Sequence, residues 1–273
     1  MTTGDAVLSD QELAVAAAAA GAAVVRERFG GALVRFDKGG GDFATEADIK
    51  AEEAILRVLR DARPGDAVSG EESGLSGAAS AERTWLVDPL CGTLNYATGN
   101  LAVAVNVALR LGSTVTTAAV ADPFTDEVFW AAEGEARLRL PDGSDVPLRP
   151  SAVPPLVDVN LDAPYETGPG WPGARLISAP EFLERFRPRV LSTTLALTWV
   201  AAGRRAAYVT AGDLRDNVHF AAGIALCRAA GCVVTALDGG PVATTADDGI
   251  APNGLLAAAD PDTHRELLAI LNN

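Results

Sequence analysis

The sequence predicts an α/β fold in which short buried strands alternate with helices. Three observations support this class. The chain has 273 residues, 48% of them hydrophobic, which is enough to bury one large core or two closely packed halves. Apolar residues recur at helical spacing early in the chain and again late in it. Between these stretches lie short apolar runs bounded by Gly, Pro and Asp, which are typical of strands.

The first two predicted elements are helices. The apolar run from Leu13 to Val25 follows Ser9 and Asp10, either of which is a suitable N-cap. Acidic residues precede this run and it is too short to span a bilayer, so it indicates a buried helix rather than a signal peptide or membrane anchor. After the glycine cluster Gly39 to Gly41, helical spacing predicts a second helix from about Thr45 to Arg60.

Strands dominate the middle of the chain. The run Thr84 to Asp88 predicts a buried strand that delivers an acidic residue to the turn at Pro89. Gly112 and Ser113 predict a hairpin between the two runs that flank them. The strand-like runs that follow Pro89 are Val103 to Leu111, Thr114 to Asp122 and Glu127 to Ala132.

A segment rich in proline and glycine, Pro141 to Pro155, marks the passage to the second part of the chain. A helix is predicted there from about His219 to Ala230, ended by Gly231 before a strand over Cys232 to Leu237. Between these segments, strand and helix character alternates over Leu156 to Leu161, Leu191 to Ala202 and Ala206 to Thr210.

The charge and the cysteines restrict the partners and the compartment. The 36 acidic and 22 basic residues give a net charge of −14, which repels nucleic acids and anionic membranes, so neither is expected as a partner. The three cysteines, Cys91, Cys227 and Cys232, lack the even, dense spacing of a secreted disulfide framework. We therefore predict a cytoplasmic protein.

Several segments match motifs of one known family. They are Gly41 to Asp48 (GDFATEAD), Gly70 to Ser73 (GEES) and the signature Trp85 to Tyr96 (WLVDPLCGTLNY), together with the segment Ala121 to Gly134 and the late Leu255 to Ala259. The chain resembles the inositol monophosphatase superfamily over most of its length, and most strongly in the signature. The resemblance implies a layered αβαβα sandwich of the inositol monophosphatase and fructose-1,6-bisphosphatase type.

The resemblance also implies a first metal site and a pair that activates water. Glu71 and Asp88 match two family ligands of the first metal, and the carbonyl of Leu90 matches a third. Asp48 and Thr93 match the pair that orients and deprotonates the attacking water. Glu71 is also expected to be a catalytic residue. Oxygen ligands of this kind suit Mg²⁺. We expect an α+β half, residues 1–145, to carry most of these residues and to pack closely with an α/β half, residues 146–273, as one unit.

Substrate contacts are implied in two places. Gly92 and Thr93 open a predicted helix whose N–H groups would receive the phosphate. Asp213 and Arg215 lie where family members contact the hydroxyl groups of the substrate. Lys38, beside the glycine cluster, could approach the phosphate. The expected partner is a small phosphorylated polyol, sugar or nucleotide.

The second metal position departs from the family pattern. Three residues after Asp88, where the family has aspartate, this chain has Cys91. A further family aspartate begins the late helix; an alignment without gaps back from Ala230-Gly231 places His219 there, and a shift of three residues places Asp216 there. Asp88, Cys91 and His219 would offer oxygen, sulfur and nitrogen, a set that suits Zn²⁺ better than Mg²⁺, with Mn²⁺ as a further alternative.

These features predict a metal-dependent phosphomonoesterase with an altered second metal site. Two alternatives are a pseudophosphatase that binds a phosphorylated ligand without hydrolysing it, and an enzyme of different chemistry that uses Cys91 activated by His219. A fourth interpretation treats Cys91 as an inert small hydrophobe that, with His219, fills the place of the second metal. Family members commonly dimerise, so the resemblance implies a homodimer.

Overall fold

The computed structural model describes residues 8–40, 42–78, 81–162, 172–245, 249–250 and 253–272. The helices within these residues are α1 Asp10–Arg28, α2 Glu46–Ala62, α3 Thr93–Ala97, α4 Pro172–Ser178, α5 Pro180–Arg185, α6 Leu195–Ala201, α7 Ala221–Ala230 and α8 Pro261–Leu271. In this part of the chain, no helix combines the length and the apolar character that a membrane span requires.

The strands in the same residues are numbered in chain order. They are β1 Arg35–Gly39, β2 Asp42–Thr45, β3 Ala67–Gly70, β4 Gly74–Ser76, β5 Arg83–Cys91, β6 Ala104–Leu111, β7 Thr114–Asp122, β8 Glu127–Ala132, β9 Glu135–Arg139, β10 Asp145–Pro147, β11 Leu156–Val159, β12 Arg187–Val190, β13 Ala207–Thr210, β14 Val233–Thr235 and β15 Leu255–Ala258.

These strands form a large sheet, a small sheet and a separate hairpin. The large sheet has the order β10-β9-β8-β7-β6-β5-β3-β4; β3 runs parallel to β5, and the other neighbours are antiparallel. The small sheet has the order β12-β11-β13-β15-β14, in which β11 runs parallel to both of its neighbours. The hairpin of β1 and β2 carries the glycine cluster at its turn, although Gly41 itself lies outside the described residues.

Helices and sheets stack in five layers. One face of the large sheet packs against α1 and α2, and its other face packs against α6 and α7. The small sheet contributes to that second core, and its opposite face packs against α4, α5 and α8. This order is the expected αβαβα sandwich, so the predicted fold class is confirmed. The division into halves at residue 145 stays a prediction.

Strand β5 contributes side chains to two of these cores, because successive side chains of a strand point to opposite faces of the sheet. Trp85 and Val87 are fully buried in the core formed with α1 and α2. Leu86, between them, packs in the core formed with α6 and α7. The alternation places the strand in the middle of the molecule, where its last residues are held by packing on both sides.

The end of β5 is irregular. The strand continues to Cys91, beyond the predicted end at Asp88, and its pairing with β6 shifts register between these two residues. Pro89 lies in the shifted stretch, and proline has no N–H group to donate to a neighbouring strand. Asp88 and Cys91 still pair with Asn106 and Ala104 of β6, whereas Pro89 and Leu90 between them have no partner in that register.

Side chains cap the first turns of α1 and α2. At α1 the hydroxyl of Ser9 accepts a hydrogen bond from the N–H of Glu12 at 3.2 Å, so Ser9 rather than Asp10 is the N-cap. At α2 the N-cap is Thr45, which forms a reciprocal capping box with Asp48. Both predicted N-terminal helices are confirmed.

The late helix begins later than predicted. It starts at Ala221, with Phe220 as the N-cap, instead of at His219. The side-chain oxygen of Asn217 accepts a hydrogen bond from the N–H of His219 at 2.8 Å and closes a turn ahead of the helix. His219 therefore lies in that turn. The strand that follows is also shorter than predicted, Val233–Thr235 instead of Cys232 to Leu237.

Candidate active site

A cleft of about 1230 Å³ lies beside the irregular end of β5 and is lined from both parts of the chain. The first part supplies Glu71, Leu90, Cys91, Gly92 and Thr93, and the second supplies Asn160, Thr194, Asp213, Asn217 and His219. Gly39 and Gly40 at the β1–β2 turn also reach it. Most of the residues predicted to act in catalysis or metal binding therefore lie in or next to one cavity.

Asp48 and Thr93 form a hydrogen-bonded pair. The hydroxyl of Thr93 lies 2.9 Å from Oδ1 of Asp48 and 3.2 Å from the carbonyl oxygen of Leu90. The other carboxylate oxygen, Oδ2, accepts hydrogen bonds from the N–H and the hydroxyl of Thr45, as part of the α2 capping box. Burial raises the pKa of Asp48, and these hydrogen bonds offset the rise only in part. The helix cap thus also fixes the orientation of the carboxylate toward Thr93.

Asp88 is fully buried and is held by three donors. Its Oδ1 accepts the N–H of Leu90 at 3.1 Å, and its Oδ2 accepts the side-chain amide of Asn106 at 3.2 Å. The Nδ1 atom of His219 lies 2.7 Å from the same Oδ2. Burial alone would raise the pKa of Asp88, but His219 outweighs that effect and lowers it. The carboxylate is therefore held in its charged form by its neighbours.

Glu71 is a second buried carboxylate close to the first. Burial and the negative charge of Asp88 raise the pKa of Glu71 to about 8. Its Oε2 atom is buried and receives no hydrogen bond from the described residues; Nδ1 of His219 lies 3.9 Å away. Its Oε1 atom accepts the ammonium group of Lys38 at 3.0 Å, and that group also contacts Glu72 at 2.7 Å. Lys38 and His219 lower the pKa of Glu71, but they do not outweigh burial and the charge of Asp88.

Asp88, Cys91 and His219 form a compact three-residue group. One candidate ligand atom from each lies within 4.8 Å of the other two. The sulfur of Cys91 accepts the N–H of Thr194 at 3.2 Å. Burial, with the charge of Asp88, raises the pKa of the Cys91 thiol. Burial alone would lower the pKa of His219, but Asp88 outweighs burial and raises that pKa well above its usual range. In this arrangement the thiol is protonated, which argues against Cys91 as an activated nucleophile.

A sequence model of the inositol monophosphatase family matches residues 9–272. The chain belongs to the inositol monophosphatase family. It is 31% identical to the inositol-1-monophosphatase of Caulobacter vibrioides, over 85% of this chain and 88% of that protein. It is 34% identical to the inositol-1-monophosphatase ImpA of Mycolicibacterium smegmatis, over 86% of this chain and 82% of that protein.

A solved structure agrees with the sequence comparisons. The extragenic suppressor protein suhB of Bartonella henselae superposes with a TM-score of 0.79 at 27% identity, covering 96% of this chain and 98% of that chain. By family, the chain is a phosphatase-type hydrolase.

Within this family framework, the structure separates the two candidates for the late aspartate position. His219 reaches Asp88, whereas the carboxylate of Asp216 pairs with Arg110 at 2.6 Å and lines a different cavity. Asp216 is also absent from the group formed by Asp88, Cys91 and His219. The structure therefore brings His219 rather than Asp216 to Asp88, because the Asp216 side chain is turned toward Arg110 on β6.

The residues predicted to contact substrate are only partly brought together. Gly92 and Thr93 line the cleft, and so does Asp213. Arg215 is not among the residues that line the cleft; its guanidinium folds back onto Asp213, with Nη2 2.5 Å from Oδ2. Arg215 therefore acts here as the partner of Asp213.

Sequence reasoning missed two residues that support the site. Asn106 on β6 donates to Asp88 and also to the hydroxyl of Thr194 at 2.9 Å, and Thr194 in turn contacts Cys91. The signal was present, since an asparagine within the apolar run Val103 to Leu111 must find partners when it is buried.

Proposed function

We propose that the chain hydrolyses the phosphomonoester of a small polyol, sugar or nucleotide in this cleft, with the help of divalent cations. The observation that carries the proposal is the position of the Asp48–Thr93 pair next to Leu90, whose N–H binds Asp88. A water-activating pair and a carboxylate pair thus meet at one end of a cleft large enough for a small metabolite.

The residues around Glu71 and Asp88 fit a cation. Two buried carboxylates lie close together, and one of their oxygens, Oε2 of Glu71, receives no hydrogen bond from the described residues. These side chains and the Leu90 carbonyl are the groups that would hold the first ion, and oxygen ligands suit Mg²⁺ or Mn²⁺. A bound divalent ion supplies positive charge to the phosphate oxygens and makes a water molecule more acidic.

The side chains of the chain itself provide orientation and proton transfer. Asp48 accepts the hydroxyl hydrogen of Thr93, which leaves the oxygen of Thr93 free to accept a hydrogen bond from water. The raised pKa of Asp48 favours proton acceptance nearer to neutral pH. Gly92 and Thr93 line the part of the cleft where the phosphate would lie, and Asp213, at another part of the lining, can accept hydrogen bonds from substrate hydroxyl groups.

In this proposal, Asp88, Cys91 and His219 form the second metal position, which differs from the family pattern. Its oxygen, sulfur and nitrogen atoms make a softer ligand set than carboxylates alone, so it favours Zn²⁺ over Mg²⁺. Binding would require Cys91 and His219 to lose their protons, and metal affinity at this position should therefore be lower in acid.

A pseudophosphatase is the second candidate, and one observation favours it. Lys38 and His219 already place positive groups on Glu71 and Asp88, where ions would otherwise sit. With these two contacts in place, the cleft would bind a phosphorylated ligand without activating water.

Phosphate release by metal-stripped protein separates the two candidates. The assay uses sugar, inositol and nucleotide monophosphates, with Mg²⁺, Mn²⁺ or Zn²⁺ added back, and Asp48→Asn as the inactive variant. Turnover that depends on one ion and is lost in Asp48→Asn supports the phosphatase. If folded protein shows no turnover with any ion but binds one of these compounds, the pseudophosphatase is correct.

A further inference from the structure

A second cavity, of about 460 Å³, lies apart from the proposed catalytic residues. It is enclosed by the β6–β7 hairpin, the end of β8 and one side of α7. Its apolar lining is formed by Leu86, Val115, Ala131, Leu214, Ile224 and Ala225. The volume and this apolar lining match those of small-molecule sites, which are commonly roughly 300–1000 Å³ and mostly apolar with a few polar groups.

The polar groups of the cavity include two arginines with different surroundings. Arg110 is neutralised by Asp216, with 2.6 Å between Nη1 and Oδ1. Arg228 on α7 is exposed at the cavity and forms no ion pair or hydrogen bond within the described residues. Within the described residues, no carboxylate therefore compensates the charge of Arg228, in a chain whose net charge is −14.

The cavity is separated from the cleft by a single turn. Asn217 lines both spaces, but Asp48, Thr93 and Glu71 do not line the second one. The N–H of Asp216, next to Asn217, is held by the carbonyl of Thr244 at 2.8 Å. A ligand in the second cavity would therefore not occupy the place of a substrate.

We propose that this cavity binds a small organic anion with an apolar body. The anionic group would pair with Arg228, whose planar guanidinium matches carboxylate, sulfonate or phosphate oxygens. The apolar body would lie against Ile224, Ala225 and Ala131, where it is removed from water. Neither the sequence motifs nor the proposed phosphatase chemistry uses this cavity.

A fluorescence titration of the full chain with anilinonaphthalene sulfonate tests the proposal, because this probe is an anion with an apolar body and brightens when it leaves water. We expect saturable binding to the folded protein. Arg228→Gln should weaken it by about tenfold, because it removes the charged partner of the sulfonate. Ala225→Phe, which fills the cavity and keeps Arg228, should weaken it as well. Phenylnaphthylamine, which lacks the sulfonate, should bind the wild type more weakly.

The matched control is Arg185→Gln, because Arg185 is an exposed arginine that pairs with Glu266 far from the cavity. It should bind the probe as the wild type does. Equal binding to the wild type, Arg228→Gln and Ala225→Phe, or no binding to the wild type, overturns the proposal. Thermal melts of each variant show that the fold is retained. The readout needs no catalysis, so the outcome is independent of the phosphatase assay.

Discussion

The Nδ1 atom of His219 lies 2.7 Å from Oδ2 of Asp88, a carboxylate without exposed surface. The two residues are separated by 131 positions in the chain and join the centre of the large sheet to the turn before α7. Cys91 stands where the family motif implies aspartate, and His219 rather than Asp216 reaches Asp88, so we propose that the cleft carries less negative charge than the family pattern implies. We expect this change to decide which metal the protein uses.

Replacing the sulfur ligand should change metal selectivity. Cys91→Asp introduces a hard oxygen ligand, and we expect it to raise Mg²⁺-dependent phosphate release by about tenfold and to reduce the preference for Zn²⁺. The measurement is kcat/KM for one substrate with each ion added to stripped protein.

The control for this substitution is Cys91→Ser, which keeps the size of the side chain but removes the soft donor. It should weaken Zn²⁺-dependent turnover without a gain with Mg²⁺. Identical ion preferences in the wild type and both variants would show that Cys91 does not bind the second ion.

Removing the Thr93 hydroxyl should reduce catalysis more than binding. Thr93→Ala deletes the group that Asp48 orients, and we expect kcat to fall by about 100-fold, with a much smaller change in KM. Thr93→Ser retains the hydroxyl and should stay within about tenfold of the wild type. If Ala and Ser variants have the same kcat, the Asp48–Thr93 pair does not activate water.

A side chain at position 92 should destabilise the fold. Gly92 has φ +98, and a Cβ there would lie 3.1 Å from the carbonyl oxygen of Ala102 and 3.2 Å from the side-chain nitrogen of Asn95. We expect Gly92→Ala to lower the free energy of unfolding by about 2 kcal/mol or more, from backbone strain plus crowding. Urea denaturation measures the difference.

Gly99 is the matched control for crowding. It also has a left-handed backbone, with φ +80, but a Cβ there would have no neighbour within 4 Å. Gly99→Ala should therefore cost only the strain, about 1 kcal/mol. Equal losses at the two positions would contradict the crowding argument.

The ion pair of Asp145 and Arg139 should stabilise the protein in a pH-dependent manner. The hydrogen bond from Arg139 lowers the pKa of Asp145, although burial opposes it. A lowered folded-state pKa stabilises the protein above the unfolded pKa of aspartate, and this contribution is lost as the pH falls through the folded value. Asp145→Asn should thus cost about 1 kcal/mol at about pH 7, and the difference should shrink as the pH falls below about 4, the unfolded pKa of aspartate.

Urea denaturation of the wild type and Asp145→Asn at several pH values tests whether the stability difference shrinks as the pH falls. Asp262→Asn serves as the control, because Asp262 is almost fully exposed where it pairs with Arg265. It should leave stability close to that of the wild type. A constant difference between Asp145→Asn and the wild type at all pH values would contradict the assignment.

Sequence signals between residues close in the chain were sufficient to predict much of the fold. The cap at Ser9, the helical spacing after Thr45 and the apolar run Thr84 to Asp88 each predicted an element that the structure contains. These signals act between residues close in the chain, so the sequence carries them directly. Short elements such as β10 and β12 were not predicted, because their residues are organised by packing against distant segments rather than by a local pattern.

The sequence by itself determined the family, the layered fold and the positions of Asp48, Glu71, Asp88 and Thr93 in one set of motifs. Only the tertiary structure decided between His219 and Asp216. Asp216 adopts a left-handed backbone, with φ +51, and its carboxylate pairs with Arg110, while Asn217 closes the turn that brings His219 to Asp88. Which side chain reaches a buried carboxylate depends on the direction of a turn and on partners from another strand, and residue spacing alone specifies neither.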